Sequence, residues 1–300
     1  MATSIPAVIN RDAGGAEGAE RALADVGGYE VHPVPAQEVV SRIQEIAASG
    51  PRRILVAGGD GSLCAAAHIV AARGVELAIL PAGTLNHLAK HLGLPGDLHA
   101  AAEVGRNGVT RPVDAGTVNG RLFLNTSSVG AYETFVRRRD RAEQRWGYHI
   151  ASLIAGWGIL LNAPNFRVTA ELAGVKTVYR TPLVFVGVGE RELRIPALGS
   201  RIENGRRGLH VMIVRSRSGA RLASLAIQAA ARGVDAVSRT PAMDSLILDR
   251  FTIESSSRTA SIDGELISVG PSFEYRFLPA ALRVVVPERR AADRPAVLEV

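Results

Sequence analysis

The chain of 300 residues contains a single cysteine, Cys64. One cysteine cannot form a disulfide within the chain, and its use fits a reducing compartment. Cys64 lies in an alanine-rich segment with a helical pattern, where we expect a small buried side chain and not a nucleophile. The cysteine content therefore favours a cytoplasmic protein.

Long apolar runs are also missing. The longest run, residues 150–161, has 12 residues, whereas a membrane-spanning helix needs roughly 20. The N-terminal segment lacks the basic region and long apolar region of a signal peptide. We therefore expect a cytoplasmic protein, with peripheral association at the inner membrane left open.

Aromatic residues make up only 5% of the chain. No basic run is interleaved with them, so we expect no nucleic-acid partner. The formal net charge is +6, and almost all of the basic residues are arginine. A mildly basic surface of this kind suits anionic lipid headgroups or a nucleotide.

Lysine is nearly absent, and the positions of the two lysines exclude a P-loop, a common phosphate-binding motif. The two lysines, Lys90 and Lys176, follow Ala89 and Val175, whereas a P-loop requires Gly-Lys-Ser/Thr. No G-x-G-x-x-G follows a predicted strand either. Phosphate would have to be bound by backbone N–H groups, an acid and hydroxyls, together with a cation for which Mg²⁺ is the natural candidate.

The most informative stretch is residues 52–92, in which one pattern occurs twice. An apolar run at 54–57 is followed by a glycine-rich turn, Gly58-Gly59-Asp60-Gly61-Ser62. A second apolar run at 77–80 is followed by a turn that contains Gly83, Thr84 and Asn86. Parallel neighbouring strands would bring both turns to one crevice, where open α/β sheets bind ligands.

The residue types in these turns suit a phosphate site. Glycine lets the backbone turn sharply and approach a ligand, and we expect Ser62 to cap the following helix and leave its first N–H groups facing an anion. Asp60 is the candidate magnesium partner, and Thr84 and Asn86 add polar groups. For the first turn taken alone, an ordinary strand-to-helix connection is an equally good interpretation.

The two turns together resemble a known signature. GGDGS followed by LPAGTLNHLAKHLGLP is similar to the nucleotide-binding motifs of the diacylglycerol kinase catalytic family, which includes sphingosine kinases and bacterial lipid kinases. NAD kinases share GGDG but not the second motif, so they are the weaker match. The resemblance implies that ATP and Mg²⁺ bind at residues 58–62 and at Gly83, Thr84 and Asn86.

Two weaker motifs extend the resemblance. The turn after the first predicted strand is similar to the family's N-P-x-S-G, with Asn10 and Gly14 matching but Arg11 and Ala13 departing from it. In the late Asp-Gly-Glu at 263–265, the resemblance implies that Glu265 is the general base and Asp263 its support. Read from the residues alone, this tripeptide is a hairpin turn with surface acids.

One family feature looks absent. Bacterial members often hold a structural magnesium ion through an acid in a D-G-x-L stretch. In this chain, Arg206 and Arg207 occupy the position where that acid would be expected. Either an arginine replaces the cation or the loop is rebuilt.

The order of predicted elements gives the fold class. Strands alternating with helices over residues 1–114 predict an α/β nucleotide-binding domain with a parallel sheet and flanking helices. Antiparallel hairpins beginning at Asn119-Gly120 predict a mainly antiparallel, β-sandwich-like lipid or substrate domain over 115–280. Following the resemblance, residues 281–300 are expected to return to the first domain.

Two predicted helices lie inside this second domain. The helical segment at 132–161 carries an arginine cluster between 137 and 145, which is either an interfacial helix or a solvated face. A further helix is predicted at 221–232.

These features lead to one functional hypothesis and two alternatives. The leading hypothesis is an ATP-dependent lipid kinase that phosphorylates a diacylglycerol-like alcohol met at a membrane surface. The alternatives are a kinase of a soluble hydroxyl compound and a non-catalytic nucleotide- or lipid-binding regulator. A homodimer is left open.

Overall fold

The structure, a computed structural model, describes residues 4–84, 86–130, 166–172, 174–181, 183–191, 201–202, 204–214, 243–255, 258–263, 265–268 and 270–288. The predicted helices at 132–161 and 221–232, including the arginine cluster, lie outside these residues. The contacts divide the chain into two compact units. The first unit is formed by described residues of Met1–Val113 and Ala280–Val300, and the second by those of Asp114–Pro279.

Strands and helices alternate in the first unit. Its elements are β1 (Ile5–Asn10), α1 (Ala16–Val26), β2 (Tyr29–Val34), α2 (Val39–Ala48), β3 (Arg53–Gly58), α3 (Asp60–Ala71), β4 (Glu76–Pro81), α4 (His87–His91), α5 (Leu98–Asn107) and the first part of β5 (Val109–Val118). The end of β16 (Ser272–Val286) completes the unit.

The sheet of this unit is parallel, in the order β2-β1-β3-β4-β16. Every residue of β4 is buried, as are five of the six residues of β3, which is typical of a parallel strand covered on both faces. Buried residues of α1 recur at helical spacing, at Ala16, Ala19, Leu23 and Val26, and this apolar stripe holds the helix on the sheet. The predicted parallel α/β architecture is confirmed.

The second unit is built of antiparallel strands. Its described strands are the end of β5, β6 (Arg121–Phe123), β7 (Thr126–Gly130), β8 (Phe166–Leu172), β9 (Val175–Thr181), β10 (Leu183–Val188), β11 (Leu209–Val214), β12 (Met243–Leu248), β13 (Arg250–Ser255), β14 (Thr259–Ile262), β15 (Glu265–Ser268) and the first part of β16. Six of them form a sheet in the order β12-β11-β10-β7-β14-β15. The remaining strands belong to the other sheet, in which β13 lies between β8 and β16, β9 pairs with β8, and β5 pairs with β16 and β6.

One apolar core joins the strands of both sheets in this unit. Tyr275 lies at its centre, stacked on Phe251 with ring centroids 4.7 Å apart and edge-on to Phe123 at 6.2 Å. The Tyr275 hydroxyl lies 3.0 Å from the Ser127 hydroxyl on β7, so this buried polar group is satisfied across the core. The antiparallel, sandwich-like second domain is therefore as expected.

Several strand boundaries differ from the prediction. The predicted strand at 246–255 is two strands, β12 and β13, which belong to different sheets. Conversely, the predicted strands at 273–277 and 282–286 form one strand, β16, whose backbone has a positive φ of 52° at Ala280. Apolar alternation predicts that a segment is extended, but it does not indicate where the chain crosses between sheets.

The predicted hairpin at Asn119-Gly120 is confirmed. Val118 pairs with Arg121 across it, and both turn residues have positive φ, 47° and 78°, as a type I′ turn requires. Within the described ranges, no helix combines the length and apolar character that crossing a membrane requires.

Candidate functional site

The two glycine-rich turns of the first unit are in direct contact. They follow β3 and β4, which are parallel neighbours with Gly58 opposite Pro81. A Cβ atom placed on Gly83 would lie 2.4 Å from the Cα of Gly59, closer than any side chain tolerates. The absence of side chains therefore lets the two turns meet at the carboxyl end of the sheet, as the sequence predicts.

Asn86 holds the second turn in shape. It adopts a left-handed conformation with φ 50°, and its Oδ1 accepts a hydrogen bond from the Gly83 N–H at 3.0 Å. Its Nδ2 donates to the carbonyls of Pro81 and Gly83 at 3.1 and 2.7 Å. The side chain of this predicted nucleotide-binding residue thus bonds its own turn and holds its shape.

Asp60 connects the first turn to the element after the second turn. It is the first residue of α3, and its Oδ1 accepts a hydrogen bond from the Leu88 N–H in α4 at 3.0 Å. Because α4 follows the Gly83–Asn86 turn, this bond fixes the two turns relative to each other. The Asp60 carboxylate is half-buried and lies at the helix N-terminus, where the helix dipole favours negative charge.

The expectation that Ser62 caps α3 is wrong. The capping position is Gly59, no side chain caps the helix, and Ser62 lies within its first turn. Its hydroxyl instead accepts a hydrogen bond from Asn10 Nδ2 at 3.1 Å. Since a glycine in extended conformation can occupy the capping position, the helix starts three residues earlier than a serine cap would place it.

A third turn, the one after β1, joins the other two. The Gly15 N–H donates to the Ala82 carbonyl at 3.0 Å, and Asn10 Oδ1 accepts from the Asp12 N–H at 3.0 Å. Asn10 thus organises its own turn and also bonds Ser62 of the turn after β3. Three carboxyl-end turns of neighbouring strands therefore meet, despite the departures at Arg11 and Ala13.

The surface of these turns fits a phosphate group. Gly61 and Thr84 are exposed, and Gly59, Gly83 and Ser62 are half-buried. The first intrahelical bond of α3 runs from the Leu63 N–H to the Gly59 carbonyl, so the preceding N–H groups have no partner within the helix. Backbone donors, a hydroxyl and the positive end of a helix dipole form an anion-binding arrangement.

The turns offer fewer ligands for a metal ion than for a phosphate group. Among the described residues, no group of three His, Cys, Asp or Glu side chains is placed to hold a metal. Mg²⁺ in nucleotide sites is commonly held by one or two carboxylates plus the substrate's phosphates. The residues therefore fit a magnesium ion that arrives with a nucleotide, with Asp60 as the protein ligand.

In the second unit, Asp263 supports a loop. Its Oδ2 accepts from the Leu124 N–H, and its Oδ1 accepts from the N–H groups of Asn125 and Thr126, each at 2.8 Å. Asp263 also has a positive φ of 47°. Its carboxylate fixes the turn in which Glu265 follows two residues later.

Glu265 is the first residue of β15 and is exposed. It pairs with Ile262 of β14 in the strand register. Of the two acids of the Asp-Gly-Glu motif, Glu265 is thus the one at the surface, and Asp263 bonds backbone.

A buried arginine that sequence reasoning missed braces the same loop. Arg191 is 3% exposed, and it donates to Asn125 Oδ1 at 2.7 Å, to the Asn125 carbonyl and to the Val188 carbonyl at 2.9 Å. Burial lowers its pKa to about 10, with Arg201 adding to this effect and Asp263 opposing it. No motif surrounds Arg191, so the sequence carries no signal for this role.

The stretch that lacks the expected acid contains an arginine that bonds a buried carboxylate. Arg207 Nε and Nη2 donate to the two oxygens of Asp114 at 3.0 and 2.6 Å, and Arg201 lies 3.6 Å from the same carboxylate. This bidentate bond raises the pKa of Arg207. The structure thus places a guanidinium group against the Asp114 carboxylate in this stretch, and both alternatives from the sequence stay predictions.

Comparison with known proteins adds independent findings. Residues 7–118 match the family model described as the diacylglycerol kinase catalytic domain. An uncharacterised protein of Synechocystis is 25% identical over 270 residues, which are 84% of this chain but only 60% of that protein. A protein of Pseudomonas syringae pv. syringae named "Probable lipid kinase YegS-like" is 29% identical over 276 residues, covering 87% of this chain and 82% of that protein.

The fold is shared with a solved structure. A crystal structure described as that of a diacylglycerol kinase from Bacillus anthracis superposes with a TM-score of 0.69 at 22% identity, covering 97% of this chain and 98% of the other. The range matched by the family model, residues 7–118, includes all three turns of the first unit. Residues 7–118 of this chain thus match the model of the diacylglycerol kinase catalytic domain, and the solved structure shows that the fold is shared.

Proposed function

We propose that the protein is an ATP-dependent lipid kinase that transfers the γ-phosphoryl group of ATP to the hydroxyl of a diacylglycerol-like lipid. The observation that carries this proposal is the contact between the turns at Gly59 and Gly83, where a Cβ atom would lie 2.4 Å from backbone. That contact places backbone N–H groups of two turns beside the N-terminus of α3. The domain-family match of residues 7–118 supports the same reaction class.

Phosphoryl transfer depends on positioning and charge neutralisation more than on covalent chemistry. When bound, Mg²⁺-ATP supplies the phosphoryl group and the neutralising cation. The glycine turns would bind the phosphates through backbone N–H groups, with Ser62 and Thr84 as additional donors. Asp60, oriented by the Leu88 N–H, would hold the metal.

The acceptor hydroxyl must lose its proton during transfer. We propose that a carboxylate oxygen of Glu265 accepts it. Asp263 would act through the loop: its three hydrogen bonds to residues 124–126 fix the turn that carries Glu265. Asp263 is therefore a positioning residue in this scheme.

A radiolabel assay tests the proposal. Purified protein is incubated with γ-labelled ATP and magnesium, and with vesicles containing diacylglycerol, vesicles without it, or glycerol as a soluble alcohol. Label in an organic-extractable phospholipid only with diacylglycerol vesicles would support the lipid kinase. Label in glycerol phosphate without vesicles would favour the kinase of a soluble compound.

A second candidate is a non-catalytic nucleotide- or lipid-binding regulator. It is favoured because the carboxylates of Asp60 and Asp263 both accept hydrogen bonds from backbone N–H groups, as structural acids do. ATP binding without transfer to any acceptor would support this candidate and refute the kinase proposal.

A further inference from the structure

A row of three charged residues crosses the amino-terminal end of the parallel sheet. Glu76 begins β4, with Arg53 opposite it on β3 and Arg283 opposite it on β16. Glu76 is 1% exposed, and it accepts hydrogen bonds from Arg53 Nε at 3.0 Å and from Arg283 Nη2 at 3.0 Å. This buried carboxylate holds an arginine on each side at a fixed position.

The carboxylate is ionised near neutral pH. Burial raises the pKa of Glu76, but the hydrogen bonds and charges of Arg53, with further help from Thr110 and Arg52, outweigh burial and leave the pKa below its usual value. The guanidinium group of Arg53 donates to the carbonyls of Gly105 and Arg106 as well as to Glu76, so it is held in place by protein groups. The single positive charge of Arg53 is therefore enough to balance the negative charge of Glu76, although Arg283 also bonds the carboxylate.

Three other arginines line an open cavity of about 580 Å³ beside this row: Arg52, Arg73 and Arg283. The Arg52 side chain is 84% exposed and that of Arg283 is 55% exposed. Arg52 Nε lies 3.5 Å from Glu76, and Arg73 Nη1 lies 3.4 Å from the Ile69 carbonyl. These long contacts use little of the donor capacity of guanidinium groups with five N–H each.

The charge balance of the cavity remains positive after the helices are counted. The cavity is lined by Ala48, the last residue of α2, and by Gly74, which follows the end of α3 by three residues. Each helix end contributes roughly −0.5 of a charge. Arg52, Arg73 and Arg283 contribute +3 to the lining. The helix ends therefore leave an excess of about +2, because Glu76 is already matched by Arg53.

We propose that this arginine cavity binds a phosphate group, at the opposite end of the sheet from the glycine turns. Guanidinium groups bind phosphate oxygens in pairs with a geometry that lysine cannot reproduce, and a dianion would neutralise the excess charge. The strand β4 separates the two sites by about 17 Å, at roughly 3.3 Å per residue. A free phosphate compound and a phospholipid headgroup share this chemistry.

Arginine-specific labelling with phenylglyoxal, mapped by mass spectrometry, tests the proposal on the intact chain. The labelling rates of Arg52 and Arg73 are measured alone, with pyrophosphate, and with vesicles of phosphatidylcholine with or without phosphatidic acid. We expect at least about fivefold protection of both arginines, while exposed Arg21 on α1 changes little. Protection by pyrophosphate identifies a soluble source, and protection only by phosphatidic acid vesicles identifies a headgroup.

A variant pair provides the matched control. Arg52→Ala/Arg73→Ala should weaken binding of the protecting probe about tenfold in calorimetry or vesicle sedimentation, because charge-assisted hydrogen bonds are lost. Arg21→Ala/Arg121→Ala removes the same charge from exposed positions elsewhere and should bind as the parent does. The proposal is overturned if, in every arm, the probe changes the labelling rates of Arg52 and Arg73 no more than it changes the rate of Arg21. The proposal is also overturned if the Arg52→Ala/Arg73→Ala variant binds the probe as tightly as the parent. If that variant does not fold, the labelling experiment on the intact chain decides the question.

Discussion

The contact between the glycine turns makes Gly83→Ala the most informative single change. The new Cβ atom would lie 2.4 Å from the Gly59 Cα and 2.9 Å from Asn86 Oδ1, whereas ordinary contacts begin at 3.4 Å. Backbone atoms cannot rotate away as a side chain does, so the turns must separate by about 1 Å. Gly83 does not have a positive φ, and the whole effect is therefore steric.

The expected magnitude follows from overpacking. Forcing an extra methyl group into a filled site costs about 1–3 kcal/mol, and each kcal/mol lowers Tm by roughly 2–4 °C in a domain of 150–250 residues. Thermal denaturation should therefore show a loss of several degrees. Because the displaced turns also carry the phosphate donors, binding of a fluorescent ATP analogue should weaken by at least about tenfold.

Gly96→Ala is the matched control. Gly96 also has no positive φ, and a Cβ atom there would meet nothing within 4 Å. This variant should keep both the Tm and the ATP affinity of the parent. If Gly83→Ala behaves like Gly96→Ala in both assays, the turns are not packed as described and the phosphate site loses its main support.

Three further outcomes are expected. Glu265→Gln should lower turnover at least about a hundredfold with ATP affinity unchanged, since general bases contribute about 10²–10⁴; a normal rate removes Glu265 from the mechanism. Asp263→Asn replaces one acceptor oxygen with a donor against backbone N–H groups, so urea denaturation should show a loss of about 1–3 kcal/mol, and an unchanged midpoint would contradict its role as a loop support. Burial lowers the pKa of His210 below 6.5, an effect opposed by Glu190 and increased by Arg191 and Arg206, so the folded state resists protonation. Unfolding free energy should be constant above about pH 6.5 and begin to decrease as the pH falls below it, and His210→Asn should move the onset of that decrease to lower pH, where carboxylates such as Glu76 titrate.

The parts of the candidate site that could be predicted are those that depend on a short sequence pattern. Glycines after two apolar runs indicate turns that approach a ligand or each other, and Gly59 and Gly83 do meet. The same reasoning failed for Ser62, because a serine near a helix start is only a frequent cap, and Gly59 occupies that position. Asn86 was predicted as a nucleotide contact, and this stays a prediction; the structure adds hydrogen bonds from its side chain to Pro81 and Gly83, which no local pattern predicts.

Local patterns in the sequence were enough to predict the succession of strands and helices, the parallel sheet of the first unit and the glycine turns after β3 and β4. These features depend on apolar periodicity and backbone freedom, which are properties of neighbouring residues. The partners of the carboxylates emerge only from the folded chain: Asp114 bonds Arg207, Glu76 lies between Arg53 and Arg283, and Asp263 bonds the loop at 124–126. Such partners are tens to hundreds of residues apart, and only the strand register brings them together.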